Sequence, residues 1–180
     1  MQQDPINFLI TVIGQMYVFI VVLRFLLQVS HADYYNPISQ AIAKLTNKPV
    51  WPLSRVLPKI GRIDISALVL ALLVKLVIIL LLVLYNGGGI PHPLGILIYA
   101  LVGVLDTVLT IYFWAILGAV IISWVAPDSY HPGPQLIQQL TEPVFAVARK
   151  VIPPIGGLDL SPILIIIVIQ LIQSQLGRLL

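Results

Sequence analysis

Four long runs of apolar residues dominate the chain, and shorter stretches between them hold most of its charge. The runs cover about 6–29, 65–85, 94–125 and 162–180, and each holds a single charged residue. A helix needs about 20 apolar residues to cross a bilayer, so the pattern predicts four transmembrane helices. As one helix the third run would be about 48 Å long. We therefore place its crossing at about 101–125 and its first turns in the membrane interface.

The composition supports a membrane environment. The chain is 59% hydrophobic and only 9% charged, whereas a soluble domain carries roughly 25% charged residues. The absence of cysteine excludes disulfides, thiolate metal sites and cysteine nucleophiles. The net charge of +3 is small and most of the cations lie in loops, so nucleic acid is not an expected partner.

The first apolar run is predicted to be a retained helix rather than a cleaved signal peptide. Ser30, His31 and Ala32 resemble a small-x-small cleavage site. However, no basic segment precedes the run, and the run itself contains Arg24.

The chain is an internal duplication. Asp33 recurs as Asp128 and Pro37 recurs as Pro132, a spacing of 95 residues that many other positions share. The predicted repeats are 1–90 and 91–180, with two spans each. Because each copy has an even number of spans, both copies enter the membrane from the same side and are parallel repeats. The fold expected is therefore an all-α membrane protein with four transmembrane helices in two parallel tandem repeats.

The loop that joins the two spans of each copy carries the clearest motif. Its shared positions are Arg55, Pro58, Gly61, Asp64 and Ser66 in the first copy, and Arg149, Pro153, Gly156, Gly157, Asp159 and Ser161 in the second. The aspartate or serine is placed to cap the following helix, and the arginine is a candidate ion-pair partner for the aspartate. The glycines suit a sharp bend or a close backbone approach. Two roles for the motif remain possible: it stabilises the fold of the loop, or it binds a partner.

Each repeat loop is also predicted to contain two short amphipathic helices lying in the headgroup plane. Pro49 and Pro143 suit the first turn of the second helix, and Pro58 and Pro153 end it. A solvated loop with ordinary turns is the alternative.

The positive charges predict the orientation. The loop cations are Lys44, Lys48, Arg55, Lys59 and Arg62 in the first copy, and Arg149 and Lys150 in the second. The middle turn, residues 86–93, carries none. By the positive-inside rule both repeat loops face the cytoplasm, and both termini lie outside.

Several polar residues fall within the predicted spans, where they are costly and mark candidate functional positions. They are Gln15, Lys75, Asp106, Thr110 and Gln170. Three interpretations remain open. The polar residues form a structural contact that fixes helix register, or they line a cation or proton pathway. In the third, Asp106 lies near the outer interface while Lys75 reaches the headgroups. Arg24, near a helix end, is expected to reach the interface as an anchor.

The second loop reads Pro153-Pro154-Ile155-Gly156-Gly157-Leu158-Asp159-Leu160-Ser161-Pro162 and resembles the YggT family, which includes YlmG and its plastid relatives. The first copy departs from the pattern at Lys59, Arg62 and Ala67. The resemblance implies a small integral protein of the bacterial cytoplasmic membrane. It also implies a link to osmotic tolerance or potassium uptake for bacterial members, and to cytochrome b6 haem attachment for plastid ones. It supplies no catalytic residue.

The sequence therefore predicts a non-enzymatic protein with no catalytic residues, metal site or cofactor. A scaffold or assembly factor for other membrane components is the leading interpretation, with the bilayer, an unidentified membrane protein and a second copy as partners. A transport-linked protein, forming or modulating a small cation pathway, is the alternative.

Overall fold

The computed structural model describes residues 4–60, 63–89, 92–154 and 159–178. Within these ranges it contains six helices and one short pair of strands. The elements are α1 (Pro5–Val29), α2 (Pro37–Val56), β1 (Lys59–Ile60), β2 (Ile63–Asp64), α3 (Ser66–Tyr85), α4 (Pro93–Val125), α5 (Pro132–Ala148) and α6 (Ser161–Leu176).

Polar residues followed by proline begin three of the helices. Asp4 Oδ1 accepts a hydrogen bond from the backbone N–H of Ile6, and Asn36 Oδ1 does the same for Ile38. His92 Nδ1 accepts one from the N–H of Leu94. In each case the next residue is a proline, whose missing N–H is not needed at the first helical position.

Helices occupy all four predicted apolar runs. Three of them, α1, α3 and α4, are long and apolar enough to cross a membrane. Helix α4 is continuous over 33 residues. Helix α6 has 16 residues, or about 24 Å, and is shorter than a usual span. The long helices expose large apolar side chains such as Ile13, Met16 and Trp114 on their outer faces.

Small residues bring α1 and α3 into close contact. A Cβ built on Gly14 would lie 2.5 Å from Cδ1 of Ile78. Ala67 and Ala71 of α3 are 1% and 0% exposed. The core at this contact continues into α2, α4 and α5. Close backbone approach through small residues is the usual basis of helix packing in membranes.

The two halves of the chain have the same orientation. The side-chain amide of Asn36 donates to the carbonyl oxygen of Pro132 at 2.7 Å. The backbone N–H of Asp33 donates to Oε1 of Gln139 at 2.9 Å. The segments that follow α1 and α4 therefore meet, and α2 and α5 lie at the same end of the bundle.

The loops differ from their prediction in two ways. Helix α2 runs unbroken through Pro49 and Pro52, and α5 runs through Pro143, so Pro49 and Pro143 do not begin second helices. An internal proline removes one backbone hydrogen bond, but the buried side chains of α2 continue across Pro49 and hold the helix together.

The second difference is that residues Lys59–Ile60 pair antiparallel with Ile63–Asp64. No strand was expected in a loop of amphipathic helices. Pro58 stands between the end of α2 and this strand pair, where a proline cannot continue a helix.

Candidate functional site

The aspartate of each loop motif caps the helix that follows it. Asp64 Oδ1 accepts a hydrogen bond from the backbone N–H of Ser66 at 2.9 Å, and Asp159 Oδ1 accepts one from Ser161 at 2.9 Å. Both serines are fully buried. The carboxylates also sit at the positive ends of α3 and α6, where the helix dipole favours them. Identical geometry in two copies follows from local sequence, since donor and acceptor are two residues apart.

In the second copy the predicted ion pair forms. Arg149 Nε donates to Asp159 Oδ2 at 2.9 Å, and its NH1 donates to Glu142 Oε1 at 2.9 Å. Burial raises the pKa of the Asp159 carboxyl, but the polar groups of Ser161 and the guanidinium of Arg149 outweigh it. The pKa of Asp159 is therefore lowered. The hydrogen bond to Asp159 in turn raises the pKa of Arg149.

In the first copy the predicted pair does not form. The guanidinium of Arg55 stacks on the ring of Trp51, with 3.4 Å between its Cζ and the ring centroid. Among the described residues Arg55 and Asp64 make no ion pair. The two aromatic positions correspond, but Arg149 lies 5.4 Å from the Phe145 ring. The larger and more electron-rich indole holds the cation on its own helix.

Asp64 instead faces a cation of α1. Arg24 and Asp64 line one groove of about 540 Å³ and interact electrostatically. Arg24 NH1 donates to Thr46 Oγ1 and to Asn47 Oδ1, each at 2.7 Å, and to the carbonyl of Ala43 at 3.4 Å. Arg24 therefore turns toward α2 and joins the span to the loop helix, rather than only reaching the interface.

The remaining motif residues are prolines and glycines. Pro58 and Pro153 lie in irregular segments beyond the ends of α2 and α5. Gly61, Gly156 and Gly157 lie outside the described residues.

The intramembrane polar residues form two bridges, one within each half of the chain. In the first half Lys75 Nζ of α3 donates to Gln15 Oε1 of α1 at 3.3 Å. Lys75 also packs against Gly103 of α4. A Cβ built on Gly103 would lie 3.2 Å from Nζ of Lys75. This glycine leaves room for the lysine side chain between the two halves.

In the second half Gln173 Nε2 of α6 donates to Asp106 Oδ1 at 2.9 Å and to Thr110 Oγ1 at 3.1 Å, both on α4. The sequence-based candidate was Gln170, which is exposed and lies three residues away. Gln173 was missed because the repeat spacing aligns it with the apolar Ile78. The pairing of Asp106 with Thr110 at helical spacing was the available signal, since both need a polar partner on α6.

Lys75 and Asp106 attract each other electrostatically. Across the described ranges they do not form an ion pair. Asp106 also lines a groove of about 450 Å³ between α1 and α4, together with Gln15, Thr107 and Thr110. The arrangement places polar groups of both halves at one depth of the bundle.

Comparison with known proteins decides the family. The sequence profile of the CCB3/YggT family matches the chain twice, over residues 3–85 and 98–180. The chain belongs to the CCB3/YggT family. The two matched regions each contain one long helix, one loop helix and one returning helix, so the family unit corresponds to the structural repeat.

Curated relatives cover most of the chain. An uncharacterized protein of Pseudomonas aeruginosa is 42% identical over 92% of this chain and 85% of its own length. An uncharacterized protein of Vibrio alginolyticus is 34% identical over 97% of this chain and 94% of its own. The uncharacterized protein YggT of Escherichia coli is 30% identical over 98% of this chain and 92% of its own. No solved structure matches the chain.

Proposed function

We propose that this CCB3/YggT protein is a non-enzymatic scaffold or assembly factor that crosses the cytoplasmic membrane four times. It presents α2 and α5 to other membrane components at the cytoplasmic face. The observation that carries the proposal is the contact between the two loop helices through Asn36 and Pro132. This contact joins two related loops into one continuous surface at one end of the bundle.

The four-span arrangement is supported by the position of α6. Gln173, near the C-terminal end of α6, contacts Asp106 of α4. The start of α6 lies beside the end of α5, where Asp159 pairs with Arg149. Helix α6 therefore returns alongside α4, which is long enough to span. Its outer face exposes Ile163, Ile167 and Leu171, as expected for a helix in lipid.

The interfacial placement of the loop helices is supported by their exposed side chains. Helix α2 exposes Leu45, Trp51 and Val56 beside its cations, and the second loop exposes Val147. Apolar and aromatic residues flanked by lysine and arginine favour the headgroup region. The cytoplasmic orientation follows from the same cations, because positively charged loops are retained on that side.

Topology is tested by labelling single cysteines, which is direct because the chain has none of its own. Lys48→Cys and Lys150→Cys probe the two loops, and Gly88→Cys probes the middle turn. We expect a membrane-impermeant thiol reagent to label Gly88→Cys in intact spheroplasts. The other two variants should be labelled only after lysis. Labelling of Lys48→Cys and Lys150→Cys from opposite sides contradicts the proposal.

The scaffold role is tested by crosslinking in native membranes followed by purification. Wild type is compared with the double variant Asp64→Asn and Asp159→Asn, which weakens both loop caps. Asp128→Asn is the matched control, since Asp128 is exposed and lies outside the motif. We expect a defined complex with wild type and the control, and loss of it with the double variant. A complex unaffected by the double variant contradicts the proposed loop surface.

A transport-linked function is the second candidate, and the groove lined by Asp106 favours it. Purified protein in liposomes distinguishes the two. Cation flux that Asp106→Asn abolishes supports a pathway and removes the preference for a scaffold. Absence of flux, with the crosslinked complex retained, supports the scaffold.

A further inference from the structure

The two loop helices differ in charge although they arose from one duplicated unit. Helix α2 contains three cations, Lys44, Lys48 and Arg55, and no acidic residue. Helix α5 contains one acidic residue, Glu142, and Arg149 at its C-terminal end forms an ion pair with it. The fold does not require the basic surface, because the second copy adopts the same arrangement without it. The first copy therefore carries an excess of positive charge at this end of the bundle that the second copy lacks.

A groove of about 400 Å³ lies between the end of α1 and α2. Its lining residues are Arg24, Leu27, Gln28, His31, Ala32, Tyr34, Ser39 and Ala43. Three polar members of this set, Arg24, His31 and Ser39, are specific to the first copy. At the repeat spacing of 95, the positions of Arg24, His31 and Ser39 are occupied in the second copy by Ala119, Ala126 and Pro134.

The groove contains an unpartnered buried hydroxyl. Ser39 is 8% exposed, and within the described ranges its Oγ has no hydrogen-bond partner. A buried polar group without a partner is destabilising. A ligand oxygen in the groove supplies the missing hydrogen bond.

Arg24 supplies the charge. Its three hydrogen bonds to α2 all leave from NH1, so Nε and NH2 point to no partner among the described residues. Asp64 attracts the same guanidinium but lines the other groove, beside Trp51. Arginine presents two parallel donors that match the oxygens of a phosphate.

We propose that this groove binds the phosphate of an anionic phospholipid headgroup, with Arg24 and Ser39 as its ligands. The inference rests on the proposed placement of α2 in the membrane interface. There the phosphate meets Arg24, and the apolar side chains of Leu27, Ala32 and Ala43 border the glycerol and the first acyl carbons. The groove lining contains the cation Arg24 and no acidic residue, which favours an anionic lipid over a zwitterionic one.

The test uses the full-length chain in nanodiscs of phosphatidylcholine with an increasing fraction of phosphatidylglycerol. Lipid retained on the protein is measured by native mass spectrometry, and thermal stability is measured in parallel. We expect wild type to retain phosphatidylglycerol selectively and to melt at higher temperature as its fraction rises. Arg24→Gln should retain about tenfold less, because a charge-assisted contact is lost.

Ser39→Ala keeps the inference testable if Arg24→Gln fails to fold. Among the described residues the Ser39 hydroxyl has no hydrogen-bond partner, so its removal should leave the melting temperature in pure phosphatidylcholine equal or higher. Retention of phosphatidylglycerol should nevertheless fall about threefold. Lys150→Gln, which removes an exposed cation of the second loop, is the matched control and should retain lipid as wild type does.

The outcomes separate this inference from the proposed function. Unchanged retention in both Arg24→Gln and Ser39→Ala overturns the headgroup site. Equal stabilisation by inorganic phosphate in detergent, without lipid, assigns the groove to a soluble phosphate and also overturns it. Resistance to alkaline extraction from native membranes is measured separately, and its failure contradicts the membrane placement itself.

Discussion

Arg149 and Asp159 form an ion pair of 2.9 Å that ties the end of α5 to the start of α6. Their counterparts Arg55 and Asp64 do not pair, because Arg55 stacks on Trp51 and Asp64 faces Arg24. The two repeats thus reach the same loop geometry through different cation contacts. Because of this difference, substitutions at Arg55 and Asp64 serve as controls for the same substitutions at Arg149 and Asp159.

The Arg149–Asp159 pair should show measurable coupling in a double-mutant cycle. We expect Arg149→Gln and Asp159→Asn to be coupled by about 0.5–1 kcal/mol, a value discounted because both side chains are about a third exposed. The cycle Arg55→Gln with Asp64→Asn should give coupling near zero. Unfolding in detergent micelles measures both, and equal coupling in the two cycles contradicts the assignment.

The lowered pKa of Asp159 predicts a dependence of stability on pH. Its folded-state pKa lies below the value of the unfolded chain, so the ionised form stabilises the fold above that unfolded value. The contribution is lost as pH falls through the folded-state pKa, in the range below about 4. We expect the melting temperature of Asp159→Asn to change less between pH 5 and 3 than that of wild type. A variant that follows wild type over this range argues against the pair.

The close approach of α1 and α3 depends on Gly14. We expect Gly14→Ala to destabilise the protein by about 1–3 kcal/mol, because the new methyl group overlaps Ile78. Combining it with Ile78→Val should recover part of the loss. Gly95→Ala is the control, since nothing lies within 4 Å of a Cβ at that position. Equal melting temperatures for the two alanine variants would mean that the helices are farther apart.

The two glutamines of α6 should differ in importance. Gln173→Leu removes two hydrogen bonds to α4 and leaves Asp106 without that partner, so we expect a loss of about 1 kcal/mol. Gln170→Leu should be neutral because Gln170 is exposed. Unfolding in detergent distinguishes the variants. A larger loss of stability in Gln170→Leu than in Gln173→Leu would support the sequence-based choice of Gln170 and contradict the contact of Gln173 with Asp106.

The contact between the loops depends on Asn36, which caps α2 and donates to Pro132. We expect Asn36→Ala to cost about 1–2 kcal/mol. His131 occupies the equivalent position at the start of α5 and makes no side-chain capping bond. His131→Ala should therefore leave the melting temperature unchanged. Destabilisation of similar size in both variants contradicts a special role for Asn36.

Local features of this fold were predictable from sequence, and side-chain partners across elements were not. The Asp64 and Asp159 caps depend on residues two positions away, and the motif order specified them. The partner of Arg55 depended on the ring four residues before it, where Trp51 in one copy replaces Phe145 in the other. Pro49 was expected to begin a helix, but packing of the buried side chains around it outweighs the lost hydrogen bond.

The intramembrane residues illustrate the same limit. The repeat spacing pointed from Lys75 to Gln170, as if both halves used the same register. The structure uses Gln173 in the second half because Asp106 and Thr110 lie one helical turn apart on the facing helix. Where a residue sits along a span was readable from the sequence, whereas the neighbouring helix that supplies its partner required the packing.

Covalent fusion of the two repeats allowed their loop helices to diverge, so that α2 carries three cations while the one acidic residue of α5 is paired with Arg149. Two separate identical subunits would be obliged to show the same charge at both positions. Here exchanging the two repeats replaces the basic helix α2 by α5, which lacks that excess of positive charge. A ligand that responds to charge can therefore distinguish one repeat of this molecule from the other.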